Sequence, residues 1–501
     1  MKRTALVAAI LGSAMVFLDG TIVNVALPAI RTSLGGGLAE QQWVVEAYLL
    51  TLASLLLVGG SLGDLLGRRR VFMAGVAAFG GCSLLCALAP SSNFLIGARA
   101  AQGIAGALLV PSTLALIVDT FPEGERAPAI GTWTAWTGVA AVFGPLGGGA
   151  LVQAASWRWI FAINLVPAAV TLILLARLKA DHTEPHRVDA AGAALCALGL
   201  GGPVFALIQQ PRYGWGDPRV AAPLAAGALT FAVFLAWEHR AREPMLPLRL
   251  FRIRNFAVGN LTTLALYGGL GVATFFLVVF LQQVAGYTPV QAGLSLLPLT
   301  VSIFALSRRF GALADRHGPH TFMTIGPVMA GAGLLLLTRV GPRAEYVTTV
   351  LPAVLVFALG MAGTVAPLTA TVLASVELGH SGLASGVNNA VARVAGLLAI
   401  AALGAVVSAS FATRLHRDLA GWRLAPAERA AIAQKPLIAH LDGAPATVDR
   451  ALTDASVHAF HVVIGVAGGL AMLGGVAALV GIRNPRPGAA RLKTLPATGP
   501  H

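Results

Sequence analysis

Long apolar runs, each about the length a helix needs to cross a bilayer, alternate along this chain with short segments rich in Gly, Pro, Arg and Asp. The runs lie near 5–27, 43–62, 71–90, 94–118, 131–153 and 158–177, then near 189–209 and 220–238. After a basic connector they resume near 256–282, 289–310, 321–338, 347–375, 388–412 and 458–482. This spacing predicts fourteen membrane-spanning helices arranged six, two, six. Between runs 2 and 3 the chain reads Gly60-Ser-Leu-Gly-Asp64-Leu-Leu-Gly67-Arg68-Arg69-Arg70, and between runs 10 and 11 it reads Gly311-Ala-Leu-Ala-Asp315-Arg316-His-Gly318-Pro-His320. Gly60, Leu62, Asp64 and Gly67 recur as Gly311, Leu313, Asp315 and Gly318 at a constant offset of 251. One offset serving four positions implies two copies of one helical unit, with both turns on the same side of a membrane. The predicted fold class is an all-α polytopic membrane protein. It has one six-helix bundle over 1–180, two inserted helices and a connector over 181–255, a second bundle over 256–482 with a long loop at 414–456, and a tail over 483–501.

Composition agrees with that pattern: 56% of residues are hydrophobic and 11% charged, against roughly a quarter charged in soluble domains. The net charge of +14 does not point to nucleic acid, because the arginines sit at the ends of apolar runs. Anionic lipid is the expected partner of that charge. With the N-terminus inside, 21 of the 35 Lys and Arg residues fall on the inner side and 12 on the outer, six of those in the one long loop. That bias predicts a multi-pass protein of the cytoplasmic membrane with both termini inside. Lys2 and Arg3 followed by an apolar run resemble a secretion signal, but no small-residue cleavage site interrupts the run, and it is expected to stay as the first span. Cys82, Cys86 and Cys196 lie inside apolar runs and read as small buried hydrophobes, without a metal or redox role. No GxxxxGK[ST] phosphate loop is present, so whatever work the protein does is not expected to be driven by its own ATP hydrolysis. No enzyme activity, metal or organic cofactor is expected.

Ionisable groups inside hydrocarbon are costly and usually face a cavity or a partner, which makes them the first candidates for function. Asp19, Glu46, Arg99 and Arg393 are such groups. At about 1.5 Å per residue, Asp19 falls on the outer side of the midplane of span 1, and Glu46 in span 2 and Arg99 in span 4 fall further out. A carboxyl holds its proton more tightly when shielded from water and releases it more readily beside a guanidinium, so an acid that alternately gains and loses an Arg partner can carry protons. Asp19 has no obvious permanent partner in the sequence. The alternative for the other two is a static Glu46–Arg99 ion pair holding spans 2 and 4 in register. Arg393, near the inner end of span 13, reads as a packing or headgroup contact. Spans 9 to 14 hold no acid well inside the membrane, which confines proton chemistry to the first six.

Span 5 carries Gly138, Gly144-Pro145 and Gly148-Gly149, which permit close helix contact and a bend that reshapes a cavity. Trp133, Trp136 and Phe143 offer aromatic surface nearby. In the repeated turn, membrane orientation explains the arginines. It does not explain Asp64, Gly67 and their second copies, for which a latch between the bundles, made when the inner side closes, is the expected role.

These stretches resemble the major facilitator superfamily, and within it the fourteen-span drug:proton antiporter branch. Gly60 to Arg69 is similar to the superfamily's GxLaDrxGrr loop, and the second copy to GxLaDRxG with Pro319 and His320 in place of the usual basic pair. Leu18-Asp19-Gly-Thr21-Ile-Val-Asn24-Val-Ala-Leu-Pro28 resembles LDxTxVNVALP, Arg99-Ala-Ala-Gln102-Gly103 resembles RxxQG, and Gly144-Pro145 with Gly148-Gly149 resembles GPxxGG. Trp157 to Asn164 resembles the run that opens span 6. The resemblance implies a central cavity between two rocking bundles and export of a lipophilic compound, cationic ones included, against inward proton flow. It further implies proton coupling at Asp19 and Arg99, to which the residue reading adds Glu46 as a second proton site. Substrate contacts are expected at Asp19, Asn24, Glu46, Gln102, Trp133, Trp136 and Phe143. Gating falls to Gly60, Asp64, Gly67, Arg68, Arg69, Asp315 and Arg316, and the helix bend to Gly144, Pro145, Gly148 and Gly149. Glu46 departs from the branch, where a hydroxyl residue is common. A monomer is expected, and a symporter or facilitator for a small metabolite and a membrane sensor that transports nothing stand as alternatives.

Overall fold

Backbone amides find no water in hydrocarbon, so each apolar run closes its hydrogen bonds within itself as a helix. A computed structural model describes residues 2–178, 189–241, 244–376, 381–419, 432, 435–441 and 444–484, and among them there is no strand. The first six long helices are α1 (Lys2–Leu34), α2 (Leu38–Leu66), α3 (Arg68–Ala87), α4 (Ser92–Thr120), α5 (Glu123–Ala154) and α6 (Trp159–Ala176). A hairpin follows, α7 (Ala190–Tyr213) and α8 (Pro218–Arg240). The rest are α9 (Arg254–Gln283), α10 (Pro289–His317), α11 (Pro319–Arg339), α12 (Tyr346–Ala374), α13 (Ser381–Asp418) and α14 (Ala446–Gly481). Among the described residues, thirteen helices are long and apolar enough to cross a membrane. Helix α2, with 29 residues, is not counted among those thirteen and packs inside the first bundle against α4.

In the first bundle α1 packs on α4, α5 and α6, and α4 on α2 and α3; in the second, α9 packs on α13 and α14, and α12 on α10 and α11. The repeat read from the sequence has a structural counterpart at its last glycine. Gly67 (φ +97°) ends α2 and Gly318 (φ +88°) ends α10, each donating its N–H back into the helix, to Gly63 O at 3.1 Å and to Ala314 O at 2.8 Å. A side chain is strained at such φ values, which accounts for glycine at both positions. The hairpin packs through Gly199, Gly202 and Gly227, where α7 and α8 backbones meet. Its helix α7 lies against both bundles, with Val204 and Ile208 buried beside Leu397 and Ala401 of α13 and Trp43 and Leu50 of α2.

Lys2 pairs with Glu125 at 2.7 Å, Arg31 Nη1 donates to Gln283 Oε1 at 2.6 Å, and Arg254 Nε donates to Gly481 O at 2.8 Å. The starts of α1, α5 and α9 and the end of α14 therefore share one face of the molecule, called the inner face below in keeping with the charge bias. The bundles meet in the opposite, outer half. Ile22 to Ile30 of α1 and Val272 to Leu281 of α9 belong to one buried apolar cluster. Gln282 Nε2 donates to Val25 O at 3.0 Å and Gln42 Nε2 to Ile400 O at 2.8 Å. With the Arg31–Gln283 bond, these are all the hydrogen bonds that join the two bundles among the described residues, and all lie in the outer half. Among the described residues, the hydrogen bonds between the bundles thus close the outer half of the cleft.

Candidate functional site

Five helices of the first bundle, α1, α2, α3, α4 and α6, converge on one buried polar cluster. Asp19 of α1 has no exposed surface and Arg99 of α4 has 1%. Arg99 Nη1 forms an ion pair with Asp19 Oδ2 and donates to Gln102 Oε1 at 2.7 Å, and its Nε donates to Val44 O of α2 at 2.9 Å. The guanidinium also lies over the Tyr48 ring, 4.2 Å from its centroid. Gln102 Nε2 donates to Asp19 Oδ1 at 3.0 Å and to Ser83 Oγ of α3 at 2.9 Å, and Asn164 Nδ2 of α6 approaches Asp19 Oδ1 and Ser83 Oγ at 3.4 Å each. Low dielectric strengthens each of these bonds and makes each missing partner expensive. The carboxylate of Asp19 is thus held by charge and by two amides, with no water contact in this conformation.

Three expectations change here. Asp19 has a partner, Arg99, and Glu46 does not share it. Glu46 lies two residues before Tyr48, about 200° round the helix, so with the Tyr48 ring against Arg99 the Glu46 side chain points elsewhere. Glu46 is fully buried and neither carboxyl oxygen has a hydrogen-bond partner. The second change concerns substrate contacts. Asp19, Glu46 and Gln102 are sealed, and Asn24 is 9% exposed with its Oδ1 unpartnered. Trp133 turns into the first bundle, its Nε1 donating to Ser13 Oγ at 2.9 Å. Gly138, Pro145 and Gly149 mark the side of α5 that meets α10. Trp136 and Phe143, each 57% exposed, fall roughly 150° round the helix from that side and point away from the second bundle. None of these aromatic rings lines the cleft. The third change concerns the turn. Arg68 pairs with Asp119 of α4 at 2.5 Å and Arg69 Nε donates to Leu175 O of α6 at 2.7 Å, both inside the first bundle. Asp315 and Arg316 are exposed, Gly60 is half-buried beside Pro111, and the Asp64 side chain lies outside the described residues.

Sequence reasoning did not single out Ser83, Tyr48 or the Asn164 side chain as parts of the site. A polar residue recurring in apolar runs was the available signal, but nothing in one helix's sequence says which neighbour it meets.

Span 5's glycines sit where three helices touch. Gly144 and Gly148 lie against Thr21 and Ile22 of α1, while an added Cβ on Gly149 would stand 2.6 Å from Pro289 O of α10. Helix α5 continues unbroken through Pro145. Since this contact belongs to the outer closure, Gly149→Val is expected to favour the outer-open arrangement. A cysteine placed at Gln42 should then react faster with a membrane-impermeant maleimide than in the Gly149 background, and equal rates would count against it.

The comparisons with known proteins follow from this geometry. The sequence profile of the Major Facilitator Superfamily matches residues 9–400. The chain belongs to the major facilitator superfamily. It is 37% identical to the puromycin resistance protein of Streptomyces alboniger over 80% of this chain and 81% of that one. It is 35% identical to the tetracenomycin C resistance and export protein of Streptomyces glaucescens, over 80% and 75%. Among solved structures, a bacterial homologue of the human lysosomal transporter Spinster, inward-facing and unoccupied, matches with a TM-score of 0.67 at 17% identity, over 95% of this chain and 98% of that one. At that identity the likeness concerns the fold alone.

Proposed function

We propose that this superfamily member is a proton-coupled exporter of lipophilic drugs or antibiotics. It works as a monomer by alternating access across fourteen spans of the cytoplasmic membrane, with both termini inside. The observation that carries this reading is the Asp19–Arg99 pair, an acid and a base buried together in the leading bundle while the cleft is closed outside. The resistance and export roles in the names of the two Streptomyces relatives support the substrate class.

The paired carboxylate is the proton-free form of the carrier. In the outer-closed state the acid has given its proton to the inside and Arg99 has taken its place. Loading a drug from the inner side and opening outward draws Arg99 away, and the uncovered carboxyl then binds a proton from outside. Gln102 and Asn164 keep it oriented through both states. A second protonation site at Glu46 belongs to the same reading, because an unpaired carboxylate sealed in hydrocarbon costs several kcal/mol and the neutral acid avoids that cost. Arg68, paired with Asp119, and Arg69, bonded to Leu175 O, serve the inner gate in the same reading.

Everted vesicles with an imposed proton gradient and a panel of lipophilic cations, neutral drugs and acids test the proposal. Substrate addition should release protons from the lumen. A panel that moves no protons while a substrate is still carried would favour a facilitator. For Glu46, the isosteric Glu46→Gln is expected to leave thermal stability unchanged or slightly raised, since it removes an unpaired acid without opening a cavity. A melting temperature several degrees lower would show that the carboxyl has a partner it needs.

A further inference from the structure

A second cation lies inside the cleft, and no acid answers it. On α13, Ile400 and Gly404 face α2, where Gln42 reaches them. Arg393 falls two turns further in on the same stripe, within about 20° of Ile400 at 100° per residue. The neighbouring positions on either side are covered: Leu397 and Ala401 by α7, Gly396 and Ala399 by α9. Arg393 therefore points at the first bundle and not at lipid, which sets aside the headgroup reading. It is half-buried and stands near the buried Tyr48 of α2. No hydrogen bond or ion pair ties it down among the described residues.

Its surroundings supply no counter-charge. The acids at depth in the first bundle, Asp19 and Glu46, are sealed, and α9 to α13 carry acids only near their ends, while those of α14 lie in its first ten residues. Nearer the mouth stands a further cation. Phe304 of α10 lies against Gly138 of α5, and Arg308 follows one turn inward on the same face and is exposed. A guanidinium in a low-dielectric cleft without a partner is expensive, and the arrangement is that of an anion site waiting for its anion.

We propose that Arg393 is a substrate-recognition residue that binds an anionic oxygen group, such as a carboxylate or phenolate, on the compound carried in the cleft. This rests on the exporter reading and narrows its substrate class towards lipophilic acids. The anchored anion lies on the side of the first bundle where Tyr48 is buried with the Arg99 guanidinium over its ring, close to the proton carrier.

The test is binding without any gradient, so that it stands apart from proton coupling, whose failure would show only in the everted vesicles. The full chain in nanodiscs of phosphatidylcholine is titrated with a fluorescent lipophilic carboxylate and with its methyl ester. The carboxylate is expected to bind more tightly, and Arg393→Gln to weaken it on the order of 10- to 100-fold while leaving the ester where it was. Arg393→Lys should keep most of the preference. Repeating the titration with phosphatidylglycerol present identifies the source of the anion: if anionic lipid abolishes the carboxylate's advantage, the group bound is a lipid headgroup phosphate, and if the advantage survives it is the solute's own. Equal affinities for acid and ester in the neutral bilayer, or equal losses of both in Arg393→Gln, would overturn the proposal.

Discussion

Asp19→Asn should abolish substrate-induced proton release in everted vesicles while leaving the helices in place. Asparagine has the shape of the acid and can still accept from Gln102 and Asn164, which now hold the Asp19 carboxylate at 3.0 and 3.4 Å. What it lacks is the ability to exchange a proton. Arg99 would lose its counter-charge but keep the Val44 carbonyl, the Gln102 amide oxygen and the face of Tyr48. Downhill movement of substrate should persist, because rocking of the bundles does not consume the acid, whereas accumulation against a gradient should vanish. Proton release at the wild-type stoichiometry in Asp19→Asn would remove Asp19 from the mechanism. The place of the proton would then pass to Glu46, the other sealed acid of this bundle.

Much of this molecule is legible in its sequence because the bilayer leaves the chain few choices. Apolar length fixes where helices form, and the long helices follow the predicted runs, with α1 over Lys2–Leu34 for the run near 5–27 and α14 over Ala446–Gly481 for that near 458–482. The repeated turn is legible because a positive φ admits glycine at little cost, and Gly67 and Gly318 both adopt one. Depth is legible too: rise per residue places Asp19 and Arg99 in the outer half of one bundle, and they meet. What single-helix reasoning cannot supply is azimuth. Glu46 and Arg99 were equally deep but lie on different sides of α2, and Trp136 and Phe143 are close to the cleft in sequence yet face away from it. The glycines of span 5 show the same limit in reverse. Their smallness announces close contact, but only the packed structure says that Gly148 meets α1 and Gly149 meets α10.

Arg99 offers the largest expected effect on stability. Arg99→Ala strands a carboxylate with no exposed surface, together with the Val44 carbonyl, which loses the bond Arg99 Nε now donates to it. Breaking a buried pair from one side costs about 3–5 kcal/mol, and thermal unfolding of the purified protein should fall accordingly. Removing both charges with Asp19→Asn and Arg99→Gln together leaves neutral groups that can still bond to one another, so much of the loss should return. Stability recovers in that double variant, but proton coupling does not. This separates the two roles of the pair: a scaffold needs only complementary shape and hydrogen bonds, whereas a carrier needs the charge. A double variant whose loss equals the sum of those of Asp19→Asn and Arg99→Gln measured singly would mean that the two side chains act independently, and the proton-free carrier could not then be the ion pair between them.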